Sequence, residues 1–353
     1  MGFNTIRRNN NYNSIISQIH NLSPKDWQYK KENNADIINS FKEDDFERFI
    51  HNYFVYSGKH LLNEYSELGS DKRYAHTYSV FFIGILIYKN TNLKNLVFKG
   101  WSNKRKGYKL FPFLWFITSL LHDFRFGKED DKTLEENCDI NRFFVKNDID
   151  LSRNKDLYTS NKAPKHLINS INNYFKYRVS KGKIDHGISA GFLFYDRLIK
   201  NRKEKSELNN DNDFWNIKLE QYYCEAAITI ATHNIWLPDP DDKRIMKEYK
   251  DANLTELIKA RKKKQKINYK KFPLLFLLGL VDTIDPVKLY DCLSPEFVLN
   301  NINLRFTKNG FDMILLNNKM NFNKLLSLKD NLTWLDVEVE ELKEQRRISI
   351  KFL

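Results

Sequence analysis

The residues that can do chemistry in this chain are a few histidines and aspartates set into strongly apolar stretches. The segment LFPFLWFITSLLHDFRFGK, residues 110–128, runs through a dozen almost wholly apolar residues into the adjacent pair His122-Asp123. Burying an imidazole and a carboxylate at the end of such a run costs several kcal/mol unless something compensates them, and one bound cation compensates both. A lone histidine on an apolar helix is more often a hydrogen-bonded core residue. Here the pattern recurs. His76 lies in RYAHTYSVFFIGILIY, His186 opens DHGISAGFLFYDRLI, His233 closes EAAITIATHNIW and Asp282 sits in FPLLFLLGLVDTID. Each stretch has helix length and carries one metal-competent side chain near an end or within its face. In chain order the set reads H…HD…H…H…D, with dozens of residues between members. Zinc-finger ligands cluster far more tightly. Such intervals suit a bundle whose helices converge on one point.

The elements that must position these side chains are therefore helices, and the expected fold is mainly α with a small C-terminal α+β appendage. The expected divisions are a helical N-terminal extension over 1–64, a metal-binding helical domain over 65–290 and the appendage over 291–353. At 353 residues, with 41% hydrophobic and 14% aromatic residues, the chain can bury a large core and is not a disordered polymer. The net charge of +13 favours polyanionic partners such as nucleotides, nucleic acid or anionic membrane, although lysines spread along the whole chain also read as solvated surface. Cys138, Cys224 and Cys292 stand far apart without a CxxC pair, as expected in a reducing compartment. No charged-then-apolar leader opens the sequence. The apolar runs stop at about a dozen residues, short of the roughly 20 that span a bilayer. Met1-Gly2 is followed by Ile6 where a myristoylation start has Ser or Thr. The expectation is a cytoplasmic protein without a membrane partner.

The ordered set resembles the HD-domain superfamily of metal-dependent phosphohydrolases over about residues 65–288. Arg73-x-x-His76, Leu-Leu-His122-Asp123 and Asp282 carry the resemblance. His186 and His233 add the two further ligands of its dinuclear branch, which includes HD-GYP phosphodiesterases and the nuclease domain of the type I CRISPR helicase-nuclease. The resemblance implies one ion on His76, His122, Asp123 and Asp282, and a second on Asp123, His186 and His233 with Asp123 bridging. It implies one or two divalent transition-metal ions, and the nitrogen and oxygen donors suit Mn, Fe, Co, Ni or Zn. It also implies hydrolysis of a phosphoester or phosphoanhydride in a nucleotide or other phosphorylated substrate, Asp123 being catalytic with Lys128. Arg73, Arg125 and Lys128 are the candidate substrate contacts. The chain departs from the pattern in three places. Gly127-Lys128 falls two residues late, leaving Arg125 as a rival to Lys128. His233 is followed by Asn234 instead of a second histidine. No GYP tripeptide occurs, which speaks against cyclic di-GMP hydrolysis. Two alternatives stand beside this reading: a metal-dependent single-stranded DNA or RNA nuclease, and a non-catalytic metal or nucleotide sensor.

Further expectations follow along the chain. Residues 1–24 are polar and expected to pack loosely, and FERFIHNYFVYSGKHLLNEY, residues 46–65, has helical spacing. His20, His51, His60 and His166 fall outside the ligand pattern and read as packing or surface residues. Residues 129–183 read as a charged, irregular insertion with one amphipathic piece near HLINSINNYFKYRV, acting as a lid or as padding. Asp185 reads as the N-cap of the His186 helix, and Asp285, before Pro286, as the end of the Asp282 helix. The basic run 260–271 reads as a solvated helix end ahead of a phosphate-binding patch. Lys308-Asn309-Gly310 signals a hairpin, followed by a helical segment near 322–332 and two alternating strands. P-loop and GxGxxG motifs are absent, leaving ATPase and dinucleotide-binding readings unsupported.

Overall fold

Three helices carry runs that are apolar on every side, and a run of that kind is stable in water only at the centre of a protein. They are α2 (Asp71–Asn90), α3 (Leu110–Leu121) and α7 (Pro273–Ile284). The computed structural model describes residues 14–27, 71–95, 110–125, 129, 139–150, 154–207 and 220–353. Within them the protein is mainly α with a small C-terminal antiparallel sheet. From Phe81 to Phe82, Ile83 and Ile85, and from Phe113 through Leu114, Trp115 and Ile117, side chains are buried regardless of helical face. Each large apolar side chain withdrawn from water contributes about 1.5–3 kcal/mol. The polar residues caught among them are satisfied locally. Thr118 and Ser119 donate to the carbonyls of Leu114 and Trp115, both at 2.7 Å.

Around these lie α1 (Ile15–His20), α4 (Lys165–Ser180), α5 (His186–Glu207) and α6 (Glu220–Thr232). Helices α5 and α6 form the most intimate pair, while α6 also packs on α3 and α7, and α2 packs on α3 and α7. Two glycines set the α5–α6 approach. A methyl group on Gly191 would lie 2.5 Å from the Ala227 carbonyl oxygen, and one on Gly187 would lie 2.9 Å from that of Ile230.

The C-terminal sheet has the order β1-β2-β4-β3, from β1 (Ile302–Thr307), β2 (Gly310–Leu315), β3 (Val337–Leu342) and β4 (Arg347–Phe352). Lys308 and Asn309 form the tip of the first hairpin, with Thr307 opposite Gly310. The helices Phe322–Leu326 and Leu328–Asn331 precede the second pair of strands. The sheet shares its core with the bundle, since the Phe352 ring meets Phe276 of α7 at 5.2 Å between centroids. Gln18 of α1 donates to the Leu304 carbonyl at 2.7 Å. One hydrophobic cluster thus runs from α1 through the bundle into the sheet.

Two expectations change. Of residues 1–24, 1–13 lie outside the described residues, and 14–24 are not loosely packed: Ile15 and Ile19 are fully buried, as is Trp27 just beyond, its ring edge-on to Phe82. Their apolar side chains are too sparse to dominate a polar window, yet they fit a groove that only the folded bundle presents. The segment 129–183 is also more regular than expected. The amphipathic piece expected there is α4, with Leu167, Ile168, Ile171, Tyr174 and Phe175 buried along one stripe, and the unexpected helices are Ile140–Lys146 and Lys155–Thr159. The basic run is solvated as expected, with Lys262 to Lys266 exposed at the end of helix Thr255–Lys262. Residues 46–65, including His51 and His60, lie outside the described residues, as does Cys138. Among the described residues no helix is long and apolar enough to cross a membrane.

Candidate metal centre

Five elements deliver the six residues to one place. His76 lies in α2, His122 and Asp123 in the turn that ends α3, His186 at the first position of α5, His233 just past α6, and Asp282 in the last turn of α7. The donor atoms of His76, His122 and Asp123 lie within 4.8 Å of one another, as do those of Asp123, His186 and His233. His76 Nε2 is 3.3 Å from Asp123 Oδ2 and 3.3 Å from Asp282 Oδ1. His122 Nε2 is 3.6 Å and 3.7 Å from the same two oxygens. The other oxygen of Asp123, Oδ1, faces His186 Nε2 at 3.1 Å. One carboxylate therefore turns its two oxygens toward two separate sets of ligands.

These separations fit a shared cation better than direct hydrogen bonds. Two ligand atoms each about 2.1 Å from one ion stand roughly 3.0–3.4 Å apart. A charge-assisted N–H···O bond is shorter, about 2.7–2.9 Å. The outer nitrogens make the same point. His76 Nδ1 meets Asp285 Oδ2 at 2.8 Å and His186 Nδ1 meets Glu129 Oε1 at 2.5 Å. His122 Nδ1 meets the Ser119 carbonyl and His233 Nδ1 the Ile230 carbonyl, each at 2.6 Å. All four partners are acceptors, so each Nδ1 carries the proton and, in the neutral ring, each Nε2 turns a bare lone pair inward. The buried Nε2 atoms of His76 and His122 make no hydrogen bond among the described residues. Lone pairs packed against carboxylate oxygens repel unless positive charge lies between them. The donor set, two carboxylates and four imidazoles, is one that divalent transition metals accept.

Without a metal, protons supply that charge. Burial alone would lower His76, but the carboxylates of Asp123, Asp282 and Asp285 together hold it well above its usual range. Burial likewise opposes His186, and Asp123 and Glu129 outweigh it, raising it to about 10. Asp123 and Asp282 are held well below the carboxylate range by neighbouring cationic groups despite burial. His233 goes the other way. Burial and the charge of His186 and His122 push it down to about 3, keeping it a neutral ligand.

Several members of the site were not read from sequence. Asp285 does end α7, and its carboxylate caps the helix Pro286–Leu289, accepting from Lys288 N at 3.0 Å. It is also fully buried and bonded to His76 and Ser79, a role no local pattern announces. Glu129 lay in an acidic run that read as loop. It orients His186 and is flanked by Arg178 at 3.4 Å and Lys183 at 4.0 Å. Lys288 places Nζ 2.9 Å from Asp282 Oδ1, and its six-residue offset from Asp282 is the only sequence hint. Asp185 caps α5 as expected, accepting from Ile188 N at 2.8 Å.

Of the expected substrate contacts, Arg125 is buried in the turn after the doublet. Arg73 lies one helical turn before His76 in α2, and its side chain is outside the described residues, as is all of Lys128. His20 is exposed and His166 half-buried, away from the ligand set. Compared with protein-family models, with curated proteins and with solved structures, the chain matches none.

Proposed function

We propose that this protein is a metal-dependent phosphohydrolase that cleaves a phosphoester or phosphoanhydride bond of a nucleotide-type substrate. The observation that carries the proposal is the inward Nε2 of four histidines, each fixed by an acceptor at Nδ1, around the two-faced carboxylate of Asp123. The ligand order resembling the HD-domain superfamily supports the same reading. His76, His122, Asp123 and Asp282 would hold one ion, and Asp123, His186 and His233 a second. When bound, divalent metal supplies an acidified water and a charge sink for phosphoryl oxygens.

The chain's own residues supply the rest. Asp285 and Glu129 hold His76 and His186 in their ligating tautomers. The side chains of Asp123 and Asp282 are 18% and 14% exposed while that of His122 is fully buried, so the carboxylates form the mouth of the site. Lys288 stands at that mouth with its side chain 55% exposed. Partial desolvation against the site opposes its charge, but the carboxylates of Asp282, Asp123 and Asp285 outweigh that and raise its ammonium above the ordinary lysine range, so it is charged at neutral pH. A fixed ammonium beside the carboxylates can reach a phosphoryl oxygen and offset charge that develops there during displacement. Arg125 and Lys128 remain candidates for a second contact.

The test is metal analysis of the purified chain, followed by a screen of nucleotides, cyclic nucleotides and oligonucleotides with Mn or Co added. Turnover that requires metal and disappears in Asp123→Ala is the expected result. Full activity in that variant, or no hydrolysis of any of these by metal-loaded protein, would overturn the proposal; the latter would leave a metal or nucleotide sensor.

A further inference from the structure

The loop that leaves His233 carries Trp236, one of the few large apolar side chains left exposed among the described residues, at 45%. Exposed indoles are usually loosely held, but this one is held at its ring nitrogen and at both backbone polar groups. Its Nε1 donates to Asn234 Oδ1 at 2.9 Å, and Asn234 Nδ2 donates to Asp185 Oδ2 at 3.0 Å, beside the ligand His186. Its backbone N–H reaches the Tyr174 hydroxyl at 3.5 Å, and its carbonyl accepts from the Tyr249 hydroxyl at 3.1 Å. Trp334, from the C-terminal appendage, stands edge-on to it at 5.6 Å between centroids. The Trp334 ring itself lies over Gly279 of α7, where any side chain would collide with it. Gly279 precedes Asp282 by three residues and shares its helical face. The two indoles thus bridge two walls of the metal centre, the one carrying His233 and the one carrying Asp282.

From this placement we infer that Trp236, buttressed by Trp334, is a stacking surface for a nucleobase of the substrate. The inference rests on the phosphohydrolase reading and gives the base of its nucleotide-type substrate a place in the site. An aromatic ring fixed in advance loses little conformational freedom on binding. Every nucleobase offers a π-face, so stacking here tolerates any base. The ring's tethers to Asn234 and Asp185 set the base at a constant offset from the ligands, with the phosphate left to Lys288 and the metal centre.

The test compares calorimetric binding of a nucleoside 5′-monophosphate and of ribose 5-phosphate to the Mn-loaded full chain, with metal content and thermal midpoint measured alongside. The nucleotide is expected to bind roughly tenfold or more tightly than the sugar phosphate. Trp236→Ala should abolish that advantage while leaving ribose 5-phosphate binding and metal content unchanged, and Trp236→Phe should retain most of it. Equal affinity of the two ligands for the unsubstituted protein, an unchanged ratio in Trp236→Ala, or no nucleotide binding would each overturn the inference. Failure of the phosphohydrolase reading alone looks different: nucleotide binding persists with its Trp236 dependence, and no phosphoester is turned over.

Discussion

His76 and Asp285, 209 residues apart in the chain, meet through Nδ1 and Oδ2 at 2.8 Å in the fully buried end of the site. This pair fixes which nitrogen of His76 faces the other ligands. Removing such an outer partner typically costs roughly 10–100-fold in metal affinity. Asp285→Ala should therefore weaken Mn binding by about that range, while Asp285→Asn, which keeps an acceptor oxygen, should lose less. Competition against a metallochromic indicator measures both. Equal losses, or none, would remove Asp285 from the metal centre's support.

Metal binding should release protons. His186 is raised to about 10 without metal, and His76 lies well above its usual range, so both are protonated at neutral pH and must shed a proton to ligate. Protonation of His186 stabilises the metal-free fold fully below its unfolded value of about 6.5, and that contribution is lost as pH rises toward about 10. The rise in thermal midpoint on adding Mn should accordingly widen from pH 6 to pH 9, as protons compete less with metal. Differential scanning fluorimetry across that range checks the slope, and a shift independent of pH would contradict it.

Lys288 separates metal holding from substrate holding. Its ammonium pairs with Asp282 at 2.9 Å, so Lys288→Gln removes a cation that competes with metal for that carboxylate. Metal affinity should stay level or rise, while kcat/KM falls by about 10–100-fold from the loss of one charge-assisted contact. Unchanged kcat/KM with intact metal content would exclude a role at the phosphate.

Gly191 offers a test of the scaffold. Within a helix, Gly to Ala ordinarily stabilises by about 1 kcal/mol. Here the added methyl would lie 2.5 Å from the Ala227 carbonyl oxygen and 2.8 Å from Ala231 Cβ, backbone and near-backbone atoms that cannot swing aside. Gly191→Ala should instead destabilise by about 1–3 kcal/mol, the usual cost of overpacking. Urea denaturation gives the sign directly. A stabilised variant would mean that α5 and α6 do not need this close approach.

The sequence by itself determined the helical class and the six polar residues worth examining. A histidine or aspartate alone in a helix that is apolar on every side must end up buried, and burial demands a compensating charge. The hairpin at Lys308-Asn309 was equally legible, because turn chemistry is local. Only the tertiary structure decided what surrounds those six. Asp285 and Glu129 reach His76 and His186 across 209 and 57 residues, and Trp334 reaches the Asp282 helix from the far end of the chain. Their sequence surroundings, a helix end, an acidic run and the start of an alternating strand, are ordinary. Hydrophobic periodicity specifies which face of a helix is buried, whereas the partner across that face depends on how the helices cross. For the same reason the isoleucines of α1 looked unremarkable until the bundle gave them a surface to meet, whereas the amphipathic stripe of α4 could be read in advance but not what it packs on.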